Sequence, residues 1–396
     1  MTDRPGTRTL ATRGAGTLVL TYLALGVAHG TYIPFGTVVL SDRGIEPALI
    51  GLIIAAGAAF SALAAPVFGH LGDVVIGRRG VIVLAAGVSA VAYLVFGAIA
   101  LPLVAATAII VANTAGATLA PTLDAIAVVV ARGAGRIGFA GMRALLSLAF
   151  GISAIAAGIA YRSTGYGAAP FVVAVLLAGL TLVAFLLPET PREPAAVAGA
   201  RRRGGSAAEA FSVQPRLPLA LLTFGLGIVA LYAVFTYLPL RIAELGGGST
   251  DVALAAGLEA FAEVPGFVVA GWLASRVGIR ALFSASALLM AACAAIIALL
   301  ADPALMVGMR LFTGAAYAGI TVATVLALGA LLPASLQATG QGLWLVTVSV
   351  VAVLLGVAGG PLYQVAGAPA LFLLTGSLTA LAALLGLRVL PGRHPR

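Results

Sequence analysis

The chain has 396 residues, of which 61% are hydrophobic and only 9% charged, and its formal net charge is +9. A water-soluble domain carries a charged shell several times larger, so this composition excludes one. All 22 basic residues are Arg, and they cluster between apolar runs in an alternating pattern that orients a membrane protein and does not make a nucleic-acid-binding face.

Arg4, Arg8 and Arg13 precede an apolar run that begins near Gly16 and continues past Gly30, Pro34 and Leu40. That run is too long for the core of a cleaved signal and predicts an uncleaved first span. Apolar stretches long enough to cross the bilayer predict twelve spans, near 16–40, 48–71, 80–99, 102–131, 138–160 and 167–188, then 217–240, 250–275, 280–300, 303–332, 338–361 and 369–390. The longest polar interruption, 189–216, holds Glu189-Thr190-Pro191 at its start and Arg201-Arg202-Arg203-Gly204-Gly205 further on, which predicts a flexible cytoplasmic linker. The expected fold class is therefore an all-α membrane protein, with one six-helix bundle over 1–188 and a second over 217–396.

With the amino terminus inside, 18 Arg fall on the inner side and only Arg43, Arg162, Arg241 and Arg310 toward the outer side. This bias predicts cytoplasmic termini in the cell membrane. The lone Cys293 excludes an intrachain disulfide.

The halves resemble each other at an offset near 202 residues. Gly158-x-x-Tyr161-x-x-x-Gly165 recurs as Gly360-x-x-Tyr363-x-x-x-Gly367, and Gly69-x-Leu71 as Gly271-x-Leu273. Thr31-Tyr32-Ile33-Pro34 recurs as Thr236-Tyr237-Leu238-Pro239, three residues out of phase. Matches at equivalent spans predict a duplication in parallel orientation.

Gly69-His70-Leu71-Gly72-Asp73, followed by Gly77-Arg78-Arg79, resembles the signature loop of the major facilitator superfamily, with Val74 where that loop has a basic residue. The resemblance implies twelve helices in two bundles, and a cytoplasmic gate that uses Gly69, Asp73, Arg78 and Arg79. Tyr32-Ile33-Pro34-Phe35, Ala120-Pro121-Thr122-Leu123-Asp124-Ala125, Glu263-Val264-Pro265 and Gly359-Gly360-Pro361-Leu362-Tyr363 are similar to the branch holding lactose permease and nucleoside–proton symporters. The fifth-helix motif of that branch is reduced here to Gly135-Arg136, and the His and Glu of lactose permease's tenth helix have no counterpart between 303 and 332.

Six ionisable residues fall at membrane depth: His29, Asp124, Arg143, Glu259, Glu263 and Arg310. Each charge at a span centre costs about 2.5–3.5 kcal/mol on insertion scales, so a partner or a wet cavity is required. Asp124 and Arg143 lie at matched depth, roughly 12 Å and 10 Å from the inner ends of adjacent antiparallel helices. Two readings stand for them, a grip on substrate and a static brace. Asn113, eleven residues before Asp124, is expected on the same helix face.

Glu259 and Glu263 share a face of the eighth span, and depth pairs Glu259 with Arg310. This leaves Glu263 as the proton-carrying group, with a role as a packing polar residue as the alternative. Tyr22, His29 and Tyr32 share a face of the first span, which predicts either a polar stripe for substrate or, for His29, a hydrogen-bonded packing residue.

The chain has no phosphate-binding loop, no HExxH and no Cys/His cluster, so neither an enzyme, a cofactor nor a metal is expected. The expected function is proton-coupled transport of a small organic solute by alternating access. The alternatives are proton-antiport efflux and a non-transporting membrane receptor. The expected partners are the solute, protons and lipid, with no nucleic acid, and the expected state is a monomer.

Overall fold

The computed structural model describes residues 5–131, 139–189 and 206–392. Gly135-Arg136, Arg132 and Arg201 to Arg203 lie outside the described residues. Within them all regular structure is helical. Eleven helical stretches are long and apolar enough to cross a membrane. Ten are single crossings: α1 Ala15–Asp42, α2 Pro47–Val75, α3 Gly77–Ala98, α4 Pro102–Val128, α5 Gly141–Thr164, α6 Tyr166–Ala184, α7 Leu217–Glu244, α8 Ser249–Val277, α9 Ile279–Leu299 and α10 Pro303–Leu331. The last, Ala334–Val389, has 56 residues and is broken at Gly367, where φ is +77°. It thus divides into α11, 334–366, and α12, 368–389, and completes twelve spans.

Contacts divide the chain into two compact units, Met1–Gly36 with Ala56–Ala198, and Thr37–Ala55 with Gly199–Arg396. In the first, α1 packs on α5, and α3 on α4 and α6. In the second, α8 packs on α10, and α9 on α10 and α12. The segment 37–55 belongs to the second unit because Gly51 abuts Gly356 and Gly360 and the Gln364 amide donates to Glu46 at 3.0 Å.

The duplication is written in the backbone. Among the described residues the glycines with positive φ are Gly44, Gly77, Gly165, Gly246, Gly278 and Gly367. They form three pairs, Gly44 with Gly246, Gly77 with Gly278 and Gly165 with Gly367, spaced 202, 201 and 202 residues apart. Each lies at a turn between spans, where the left-handed conformation that stops a helix costs glycine little. The Gly-x-x-Tyr-x-x-x-Gly repeat is thereby explained at its last position.

A second repeated device is an Arg that clips a helix end. Arg79 donates to the Leu187 carbonyl at 3.5 Å just beyond α6, and Arg280 to the Leu390 carbonyl at 2.9 Å just beyond α12. Both cations meet the negative end of a helix dipole. The 189–216 segment is not irregular throughout, because Ala207–Val213 is helical. Ser206 caps it by accepting from the Glu209 N–H at 3.0 Å, the start of a capping pattern that a linker reading passes over.

Candidate functional site

In the first unit, Asp124 on α4 faces both α1 and α5. Arg143 donates to its Oδ2 at 3.4 Å and Tyr22 to its Oδ1 at 2.6 Å. Tyr22 is fully buried, yet the Asp124 and Arg143 side chains keep 28% and 48% of their exposure. The close approach of α1 and α5 that brings these groups together runs over Gly26 and Gly30, whose missing Cβ atoms leave room for the backbone at Leu146 and Phe150. The pair is therefore held at both carboxylate oxygens but remains open to exchange one donor for another.

Two turns beyond Tyr22, α1 presents His29 and Tyr32 to a cavity of about 220 Å³ between α1, α3, α4 and α6. Tyr93 stands edge-on to Tyr32, with centroids 4.5 Å apart, and donates to Asn113 Oδ1 at 3.1 Å. The fourth span is not one continuous helix, since it runs Pro102–Gly116 and resumes at Leu119. Asn113 accepts from Tyr93 on α3, and Asp124 from Tyr22 on α1 and Arg143 on α5. Tyr93 and Ser89 carried no signal in an apolar span, and Tyr22 was placed on the right face without its partner.

In the second unit, Glu259 and Arg310 form an ion pair whose side chains are 7% and 4% exposed. Thr313 completes the cluster, 3.2 Å from the Arg310 guanidinium and 3.4 Å from Glu259 Oε1. The local cause is Gly314, because a Cβ there would lie 2.7 Å from the Glu259 carbonyl oxygen. The absence of that atom lets α8 and α10 meet along Glu259, excluding water from the charges. Glu263, one turn along, is half-buried and engaged in interactions of its own. Trp344 and Tyr317 pack edge-on against Phe224 and Phe267, each with centroids 6.0 Å apart.

At the α2–α3 turn, Asp73 sits in a single π-helical turn, Leu71–Val75, and accepts from Arg78 Nε and Nη2 at 3.1 Å and 3.0 Å. Arg78 also donates to the Ala125 carbonyl at 3.2 Å, and Arg79 pairs with Glu189 at 2.5 Å. Gly69 lies one turn before this cluster with open space where a Cβ would point.

Duplicated units of apolar helices that carry charge pairs at membrane depth define a multi-pass membrane protein of the major facilitator fold. The chain belongs to the MFS_1 like family, which matches residues 16–374. Among solved structures it is similar to the nucleoside transporter NupG, with a TM-score of 0.81 at 16% identity over 94% of this chain and 98% of that one. It is also similar to a D-xylose-proton symporter, with a TM-score of 0.72 at 14% identity over 97% and 98%. A peptide transporter in complex with alafosfalin gives 0.74 at 13% identity over 95% and 93%. At such identities the likeness is one of fold. No curated protein sequence matches the chain.

Proposed function

We propose that this protein is a secondary active transporter that moves a small, uncharged organic solute through the cell membrane by alternating access. Protons drive it, and both termini are cytoplasmic. The observation that carries this reading is the half-open Asp124–Arg143 pair braced by Tyr22. Charges at membrane depth are costly, and this pair gains little from packing. Its value lies in what it offers a ligand, namely a donor and an acceptor side by side with no net charge. That suits hydroxyl groups better than a carboxylate. The solute chemistry of two proteins sharing the fold, a nucleoside transporter and a D-xylose-proton symporter, is compatible.

Glu263 is the proposed proton-carrying carboxyl. Arg310 already matches the charge of Glu259, so Glu259 and Arg310 serve coupling by fixing α8, one turn from Glu263. Asp73, Arg78, Arg79 and Gly69 form the proposed cytoplasmic gate, with Asp73 released from Arg78 when it opens.

The test uses purified protein in proteoliposomes, with a solute chosen by its effect on melting temperature. A ligand at 100 times its dissociation constant adds about 2.7 kcal/mol of stability. An imposed inward-acid or outward-acid gradient should drive that solute in one direction. Glu263→Gln should keep equilibrative exchange and lose gradient-driven accumulation, and accumulation at the wild-type level would remove Glu263 from the scheme. Insensitivity of flux to the gradient would remove the proton. No flux of any bound solute would leave a receptor.

A further inference from the structure

The cavity between α1, α3, α4 and α6 has a chemistry distinct from the Asp124–Arg143 pair. We propose that it seats an uncharged, single-ring heterocycle that presents a carbonyl beside a ring N–H, as pyridones and pyrimidinediones do. This rests on the transporter reading, since the ring is taken to be one part of the transported solute.

Size sets the first limit. A cavity of about 150 Å³ lined by aliphatic groups takes up benzene. At about 220 Å³ this one has room for a single ring with a few substituent atoms.

The lining sets the second limit. Tyr32 and Tyr93 stand edge to face and form an aromatic corner for a flat molecule. Ile33, Val173 and Leu177 supply apolar walls, and among the described residues no Asp, Glu or Arg lines the space.

Hydrogen bonding sets the third limit. Tyr93 occupies the Asn113 carbonyl oxygen, which leaves the amide NH2 with no hydrogen bond among the described residues. The His29 imidazole likewise makes none there. Both side chains are half-buried at the cavity wall, so both are accessible to a ligand. An amide N–H donor and, on the α1 wall of the same cavity, an imidazole that donates at one nitrogen and accepts at the other can complement a ring with a carbonyl and an N–H. Seven residues of helix separate His29 from Tyr22, roughly 10 Å along α1, so a ring in the cavity leaves hydroxylated substituents pointing along the helix toward Asp124.

The experiment measures equilibrium binding of radiolabelled uracil to the full chain in detergent, with benzene and 1,3-dimethyluracil as competitors. The first competitor is a smaller ring with no polar edge, and the second has the same ring with its N–H groups capped. Uracil should bind at least about tenfold more tightly than either, the ratio expected for one satisfied hydrogen bond or more. Asn113→Leu should reduce uracil affinity by a similar factor without improving the fit of dimethyluracil. Ala117→Phe, which fills the cavity from its exposed wall, should abolish binding of all three.

Equal affinity for uracil and dimethyluracil overturns the proposal, as does uracil binding that survives Ala117→Phe or the absence of any ring binding. The transporter reading fails differently, with no solute crossing the proteoliposome membrane whether or not uracil binds.

Discussion

The two intramembrane ion pairs use the same chemistry in the two units and differ in what encloses them. Asp124 and Arg143 meet at 3.4 Å with both side chains reachable, and a tyrosine holds the second carboxylate oxygen. Glu259 and Arg310 are sealed, with Thr313 as third partner and the α8–α10 contact at Gly314 as lid. A pair exposed to water contributes little to stability, and one buried in protein becomes indispensable once formed, because removing either partner strands a charge. The comparison therefore separates a pair that is free to act on a ligand from a pair that holds helices together.

The largest expected effect comes from breaking the sealed pair. Arg310→Leu should cost about 3–5 kcal/mol of stability, seen as a large fall in melting temperature in detergent. The double variant Glu259→Leu with Arg310→Leu should recover most of that loss, since no charge is then left stranded. A double variant as unstable as the single would show that the pair is not what holds α8 on α10.

The lid should come next. Gly314→Ala forces a Cβ against the Glu259 carbonyl and should cost about 1–3 kcal/mol in the same assay. A neutral result would mean that α8 moves away without penalty.

A smaller change is expected at Tyr22. Tyr22→Phe removes one hydrogen bond to Asp124, worth about 1 kcal/mol, and should weaken solute binding by roughly fivefold while the fold persists. Unchanged solute affinity would detach Tyr22 from the site.

Much of this architecture was legible in the sequence. Apolar runs gave the twelve spans, and counting residues from the helix ends brought Asp124 to Arg143 and Glu259 to Arg310, because depth in a membrane is a linear function of position in a helix. Depth says nothing about enclosure. That depends on Gly314, one of 50 glycines, and on which face of α10 it presents to α8. The same abundance hid two of the three glycine pairs that mark the duplication, Gly44 with Gly246 and Gly77 with Gly278. Asn113 illustrates another limit. Its hydrogen bond from Tyr93 crosses to another span, which spacing along its own helix does not reveal. Tyr93 itself lies in an apolar span with nothing in its neighbours to mark it.

The central claim is that the open pair handles solute and the sealed pair handles structure. It is tested most directly by solute exchange per folded molecule in proteoliposomes, measured for two charge-free double variants. Asp124→Asn with Arg143→Gln should unfold within about 1 kcal/mol of the parent and exchange no solute. Glu259→Leu with Arg310→Leu should exchange solute at a rate near that of the parent in whatever fraction folds. Exchange that survives in the first variant and disappears in the second would contradict the account.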